Sequence, residues 1–373
     1  MVARATRMLG YPHLWLKPLA ERYLALDRPR KRDVVRLLKK SPNLRRALPK
    51  LKIVEHLHEP QRMAPRWDVP SIETIADLAH WLNLLPTQVD WLADLKRLSS
   101  HYFYRRLTKS NGTVRLIEAP KTRLKRIQRE ILESILDRIP THPAVHGFVK
   151  GRSIRTFAAP HVGQRTVLRM DLQDFFPTFS GPRIQTFFRT AGYPEPVADL
   201  LGGLCTNAPP RTIAPSDIYR RPHLPQGAPT SPALANICCY RLDCRLTGLA
   251  EASGAQYTRY ADDLAFSGDI DFTRFKDHAA AIALDEGFSV NFRKTRIMRQ
   301  GVRQRLAGLV TNQRLNVPRD DFDRLKAILT NCSRRGSGEH RRDQLLGQIA
   351  FVESIHGSRG QKLRAIFDRI EWK

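Results

Sequence analysis

The chain has 373 residues, 63 of them Lys or Arg against 36 Asp or Glu, for a formal net charge of +27. At 42% hydrophobic residues it is too apolar for a disordered basic tail and can bury a core. So large an excess of positive charge resists compaction and calls for a polyanionic partner, nucleic acid first and an anionic membrane surface second.

The charge is unevenly placed. Residues 1–70 carry 17 Lys/Arg against 6 Asp/Glu, and the block RPRKRDVVRLLKK (28–40) sets Val34, Val35, Leu37 and Leu38 among its cations. This reads as a basic, mainly helical segment that tracks phosphates; a solvated helical face accounts for the block equally well. Residues 71–95 read as two short helices, with Ile72, Ile75, Leu78 and Leu82 at helical spacing, Pro86 as the break, and Thr87 with Asp90 as a capping pair for the second. HYFYRRLT and TVRLIEA, joined by Lys109–Gly112, read as a hairpin. A helix follows from Lys121 with Ile127, Ile131, Leu132, Ile135, Leu136 and Ile139 on one stripe. Hairpin and helix start form a second basic surface, nine Lys/Arg against two Glu over 101–130.

From residue 166 the pattern changes. TVLRMDLQDFF is a strand running into a turn; residues 182–222 are helical and then proline-rich; LPQGAPTSPALAN is a loop feeding a helix. QYTRYADDLAFSG reads as two strands around a tight turn, 272–287 as a helix ending at Gly287, and FSVNFRKTRIM as a further strand. The order predicts an α+β fold, an antiparallel sheet with helices on one face. The last 70 residues are mostly helical and net positive. No window of 18 residues is continuously apolar, which excludes a membrane-spanning helix. Five cysteines without CxxC spacing fit reduced thiols of a cytoplasmic protein, neither a disulfide framework nor a zinc site.

Three carboxylates carry the chemistry. Asp171 ends a strand, and Asp262 and Asp263 occupy a hairpin tip. A strand end beside an acidic turn is how a sheet gathers rigid carboxylates for magnesium, which takes oxygen ligands from one or two acids and from substrate phosphates. An acidic pair at a hairpin tip is also ordinary turn chemistry, and the strand context and the third aspartate weigh against that account.

DLQDFF, LPQGAPTSPALAN and RYADDLAFS, in that order, resemble motifs A, B and C of reverse transcriptases, and most nearly those of bacterial retron and other defence-associated reverse transcriptases. The likeness runs from about Ile72 to Val317 and includes VRLIEAPKTRLKRIQREIL, HGFVKGRSI and VNFRKT. It implies a right-hand polymerase: a basic N-terminal extension (1–70), fingers with helical support (71–165), a palm (166–300, with 182–222 contributing to the fingers) and a thumb (301–373). It implies that Asp171 and Asp262 bind two Mg2+ ions, for which Mn2+ can substitute, with Asp263 as a supporting acid and the Leu172 carbonyl as a further ligand. By the same resemblance Phe176 excludes a ribose 2′-hydroxyl and Gln226 and Gly227 line the nucleotide pocket. Arg115, Lys121 and Arg123 grip the triphosphate, and Lys294 serves the leaving pyrophosphate. Each has a plainer account: Phe176 as core, the cations as solvated surface. The implied partners are a structured noncoding RNA template, an RNA–DNA duplex, deoxynucleoside triphosphates and an effector or toxin protein, in anti-phage defence.

Two departures stand against the retron pattern. Phe157 replaces an asparagine four residues before His161, itself read as structural, and Leu306-Ala307-Gly308 replaces Val-Thr-Gly. They motivate a second reading, a defence-associated enzyme outside the retrons with protein-primed or untemplated synthesis. A non-catalytic RNA-binding scaffold is a third, opposed by the three intact aspartates.

Overall fold

In the computed structural model the described residues are Ala25, 67–108, 112, 114–336 and 341–372. The expected basic helical block at 28–40 and the turn at 109–111 lie outside them. Two short helices, α1 (Ile75–Trp81) and α2 (Pro86–Ala93), open the described chain. Thr74 caps α1, its hydroxyl accepting from Asp77 N at 3.1 Å while Asp77 accepts from Thr74 N at 2.9 Å. The Thr87–Asp90 cap expected for the second helix does not form. Pro86 is the first residue of α2, where a missing N–H costs nothing, and Gln88 Oε1 accepts from Leu85 N instead.

The hairpin β1 (Tyr102–Thr108) and β2 (Val114–Pro120) pairs in register from Tyr102↔Pro120 to Thr108↔Val114. Helix α3 (Thr122–Ser134) follows with Ile127 and Ile131 buried and Leu132 half-buried; the expected stripe outruns it, since the helix ends at Ser134 and the buried Ile135, Leu136 and Ile139 lie beyond it. A short helix α4 (Ile154–Ala158) precedes β3 (Thr166–Asp171). Then come α5 (Phe175–Thr178), α6 (Gly181–Thr190), α7 (Glu195–Cys205), α8 (Ser231–Cys238) and α9 (Tyr240–Ala252). The strands β4 (Gln256–Tyr260) and β5 (Asp263–Gly268) flank a two-residue turn and lead to α10 (Phe272–Asp285) and β6 (Arg296–Arg299). The strand expected over 288–298 is therefore only its last part, because the backbone turns at 292–294.

The sheet is antiparallel with strand order β4-β5-β3-β6. Period-two alternation gives it two apolar faces. Leu168, Met170, Leu264 and Phe266 face the main core, shared with Leu242 and Leu246 of α9 and Phe272 and Phe275 of α10. On the other face Val167, Ala265 and Met298 meet Phe157 and Ala158 of α4 and Leu306 and Leu309 of the small hairpin β7 (Arg305–Leu306) and β8 (Leu309–Val310). Phe157, the departure from the retron pattern, is wholly buried there and fills this second core.

The helices α11 (Arg319–Arg335), α12 (Arg342–Ile355) and α13 (Gly357–Phe367) close the chain around their own cluster, including Leu329, Ile349, Leu363 and Phe367. No helix among the described residues is long and apolar enough to cross a membrane. No disulfide joins the five cysteines, and burial pushes the Cys205, Cys238 and Cys239 thiols up to about 12. The C-terminal cluster makes its own prediction. Ile349→Ala removes a fully buried side chain from it and is expected to cost roughly 2–5 kcal/mol, read by chemical denaturation; a loss under about 0.5 kcal/mol would mean the three helices do not share a packed core.

Candidate active site

Register brings the acids together. β3 and β5 pair so that Asp171 stands directly opposite Asp263. One residue beyond, Leu172 N donates to the Asp262 carbonyl at 2.9 Å, and Asn291 N donates to the Asp171 carbonyl at 2.7 Å. The Asp171 strand end is thus held on both sides by backbone. The turn Ala261-Asp262 closes the β4–β5 hairpin with Ala261 at φ 54, a left-handed conformation that costs a non-glycine residue roughly 1–2 kcal/mol. Its neighbour is fitted to it: a Cβ on Gly147 would lie 2.7 Å from Ala261 N, so only glycine lets the 144–147 segment lie along the turn.

Beneath the turn lies a buried ionic lock. Arg259, wholly buried, donates Nε and Nη2 to the two oxygens of the equally buried Asp243 at 2.8 and 2.7 Å. Its Nη1 reaches the Ala261 carbonyl at 3.1 Å and Asn236 Oδ1 at 3.2 Å. Tyr257 Oη adds a hydrogen bond to Asp243 at 2.8 Å. A guanidinium buried this completely needs this many acceptors, and one of them is the carbonyl of the residue before Asp262.

The three carboxylates are not equivalent. Asp263 Oδ1 accepts from Arg169 Nε and Nη2 at 3.0 and 2.8 Å. Asp171, nearly buried, faces Lys294 Nζ at 3.0 and 2.9 Å. Among the described residues no cation bonds Asp262 directly; burial first, then the negative charges of Asp263 and Asp171, raise it to about 6, with Lys294 opposing the shift. Asp263 is also raised by burial, with Arg169 opposing the shift.

These groups line an open cleft of about 590 Å³. Of the residues marked out by sequence, Arg115, Asp171, Leu172, Phe176, Gln226, Asp262, Asp263 and Lys294 line it. Phe175 is buried in the core against Phe179 and Phe288 at 5.2 and 6.2 Å, whereas its neighbour Phe176 is only half-buried; both border the cleft. Gly227 lies at φ 130, and a Cβ there would come within 3.1 Å of the Glu118 carbonyl. The structure does not gather Lys121 and Arg123 with the others. Lys121 Nζ sits over the Phe103 ring at 5.4 Å, and Arg123 donates to Gln88 on the support helix at 2.7 Å.

The loop carrying Gln226 is joined to the hairpin by a second buried network. Glu118 N donates to the Gln226 carbonyl at 2.9 Å, and the Glu118 carboxyl meets Asn207 Nδ2 at 2.8 Å and His223 Nε2 at 3.0 Å. His223 Nδ1 lies 2.7 Å from the Arg221 carbonyl, which only accepts, so that nitrogen bears a hydrogen. His161 is structural. Thr258 donates its one hydroxyl hydrogen to the Phe157 carbonyl at 3.0 Å, so His161 Nε2 is the donor at 2.7 Å and Nδ1 accepts from Ser267 at 2.7 Å. Burial pushes its pKa down to about 3 and keeps it neutral.

Arg169, Arg259 and Glu118 escaped the sequence reading. Each is one charge among many in a basic chain, and only strand register and burial give it a partner. The alternation that sets Arg169 two residues before Asp171 was the one available signal.

The chain matches the family "Reverse transcriptase (RNA-dependent DNA polymerase)" over residues 107–319. Retron Mx65 reverse transcriptase of Myxococcus xanthus is 43% identical over 273 residues, 70% of this chain and 63% of that protein. Retron Mx162 reverse transcriptase of the same organism is 35% identical over 83% of this chain and 72% of that protein. Retron Ec86 reverse transcriptase of Escherichia coli is 32% identical over 70% and 78%. The chain therefore belongs to the reverse transcriptases, in their retron type, and its mixed helices and antiparallel sheet are the α+β fold of a right-hand polymerase.

Two predictions concern this site. In metal-free protein the raised Asp262 binds its proton more tightly folded than unfolded. Its contribution is most favourable at low pH and is lost as pH rises through about 6. Asp262→Asn should then stabilise the metal-free protein at pH 8 by on the order of 2–3 kcal/mol, with the gain fading by pH 4–5; thermal melts showing the same gain at both ends would contradict the assignment. Arg259→Met leaves Asp243 buried without its cation and should cost about 3–5 kcal/mol, while Arg259→Met with Asp243→Leu should recover most of that loss in the same unfolding assay.

Proposed function

We propose that this retron-type reverse transcriptase extends a primer on a structured RNA template with deoxynucleoside triphosphates, by nucleotidyl transfer at Asp171 and Asp262. The observation that carries the reading is the β3–β5 register, which sets Asp171 opposite Asp263 with Asp262 one peptide away, all three lining one cleft with Arg115 and Lys294. Asp171 and Asp262 are the carboxylates to hold divalent metal, with Asp263, bonded by Arg169, as the supporting acid. Among the described residues no three His, Cys, Asp or Glu side chains form a metal-holding group by themselves. Two carboxylates completed by substrate phosphates are what magnesium accepts, so the donor set fits. Two Mg2+ ions held there by Asp171 and Asp262 would supply the Lewis acidity for the primer hydroxyl and the leaving oxygen.

The chain's own groups do the rest. The backbone bonds of Asp171 and Leu172 fix the carboxylates before substrate arrives, so their geometry need not be assembled at the reaction step. The Leu172 carbonyl is a further candidate ligand. Arg115 reaches the triphosphate from the cleft wall; Lys121 and Arg123, held elsewhere, serve the template or duplex backbone. Lys294 Nζ, already beside Asp171, neutralises the departing pyrophosphate. Phe176 offers an aromatic edge with no partner for a 2′-hydroxyl, and rejects ribose for that reason. Gln226 and Gly227 border the nucleotide, with Gly227 giving the backbone close approach.

The product is RNA-linked single-stranded DNA, made in anti-phage defence with a separate effector protein. Phe157 gives no support to a protein-primed or untemplated alternative, since its side chain fills the core and faces no substrate. Primer extension tests the reading. Wild type with Mg2+ should synthesise complementary DNA on an RNA template or on co-purified RNA, and Asp171→Asn or Asp262→Asn should lower the rate by about two orders of magnitude or more. Complementary DNA from neither template source with the wild-type protein would overturn it.

A further inference from the structure

Phe148 is out of place for a core residue. It is 52% exposed, its backbone lies at φ 60, and its ring lines the catalytic cleft. A bulky side chain in the left-handed region is a genuine outlier, and strain of that kind persists only where surrounding structure enforces it. Here the enforcement is visible. Asn236 Nδ2 donates to the Gly147 carbonyl at 2.8 Å, and His146 N donates to the Arg259 carbonyl at 2.7 Å. The Arg152 guanidinium ties the Pro143 and Val145 carbonyls, and Arg152 N closes the turn on Val149 O at 3.0 Å. Gly147, packed on Ala261, fixes the loop to the same turn that carries Asp262.

The ring so presented is 6.4 Å from Phe176 and 6.2 Å from Tyr260. The three rings border one side of the cleft beside Asp171 and Asp262. Phe157, on the neighbouring helix, shows the contrast: its ring is 5.8 Å from Tyr260 too, yet it is fully buried. Burial explains Phe157; it does not explain an aromatic held in a strained backbone with half its surface toward the reaction centre. Every nucleobase has a π-face, and an exposed aromatic in a polymerase cleft finds its natural partner there.

We infer that Phe148 is a stacking platform for a nucleoside of the reacting base pair, positioned on the catalytic turn so that nucleoside and carboxylates keep a fixed relation. The inference rests on the polymerase reading above. The nucleoside is the primer terminus or the incoming nucleotide, and two measurements separate them. With full-length protein, Mg2+ and a primed RNA template, the affinity for primer–template duplex and the KM for deoxynucleotide are measured for wild type, Phe148→Ala, Phe148→Leu and Phe148→Trp. Loss of one stacked base predicts a roughly tenfold to hundredfold weakening for Ala and Leu, with Trp close to wild type and the melting temperatures unchanged. A shift in duplex affinity, abolished when the primer ends in an abasic nucleotide, identifies the primer terminus; a shift in KM alone identifies the incoming nucleotide. Ala and Leu variants that fold, extend primer and match wild type in both quantities would overturn the inference. Duplex binding is read without turnover, so an inactive wild type would sink the polymerase reading while leaving the binding comparison able to judge Phe148.

Discussion

The antiparallel pairing of β3 with β5 is the constraint on which the rest of this protein depends. It sets Asp171 opposite Asp263 and leaves Asp262 in the turn, one peptide away. A shift of one residue in that register would turn every side chain of β3 to the other face. Leu168 and Met170 would leave the main core for the cluster around Phe157, and Asp171 would leave the cleft. Packing and chemistry are thus fixed by one choice. The two apolar faces of the sheet guard the register more strictly than a solvent-facing sheet could.

Neutralisation is distributed so that the acids are held together without being cancelled. Arg169 takes Asp263 and Lys294 takes Asp171, while Asp262 carries the strain of burial beside two negative neighbours. Below the turn, Arg259 and Asp243 lock the backbone that presents Asp262. A buried pair of this kind adds little net stability, since desolvation offsets its attraction. Its value here is geometric, because the same guanidinium also binds the Ala261 carbonyl.

The basic charge is concentrated in three stretches of the sequence. Residues 101–130 and 301–373 each carry a net +7 and 1–70 a net +11, which leaves the remainder of the chain close to neutral. An excess of cations on that scale suits a nucleic-acid partner, since binding its phosphates releases counterions.

Much of this was legible in the sequence because it is local. Alternation marked β1 and β2, the 3.6-residue stripe marked α3, and three ordered motifs marked the acids and the family. The strand over 288–298 was over-read because Phe288, Val290 and Phe292 alternate, yet the chain turns after Val290, having bonded Leu172 and Asp171 there. The second helix likewise started at its proline and ignored the expected cap. Local chemistry names candidate residues, and it cannot name their partners. That Phe175 is buried and Phe176 only half-buried, that Arg123 reaches back to Gln88, that Arg169 belongs to Asp263, and that Phe148 is held strained beside the acidic turn are facts of register and burial. They join residues tens to more than a hundred positions apart, or split neighbours by which way the backbone turns. The sequence by itself singled out the acids, their order and the excess of positive charge; the tertiary structure alone decided which cation meets which acid and which rings face the cleft, because only packing brings distant charges and surfaces within bonding distance.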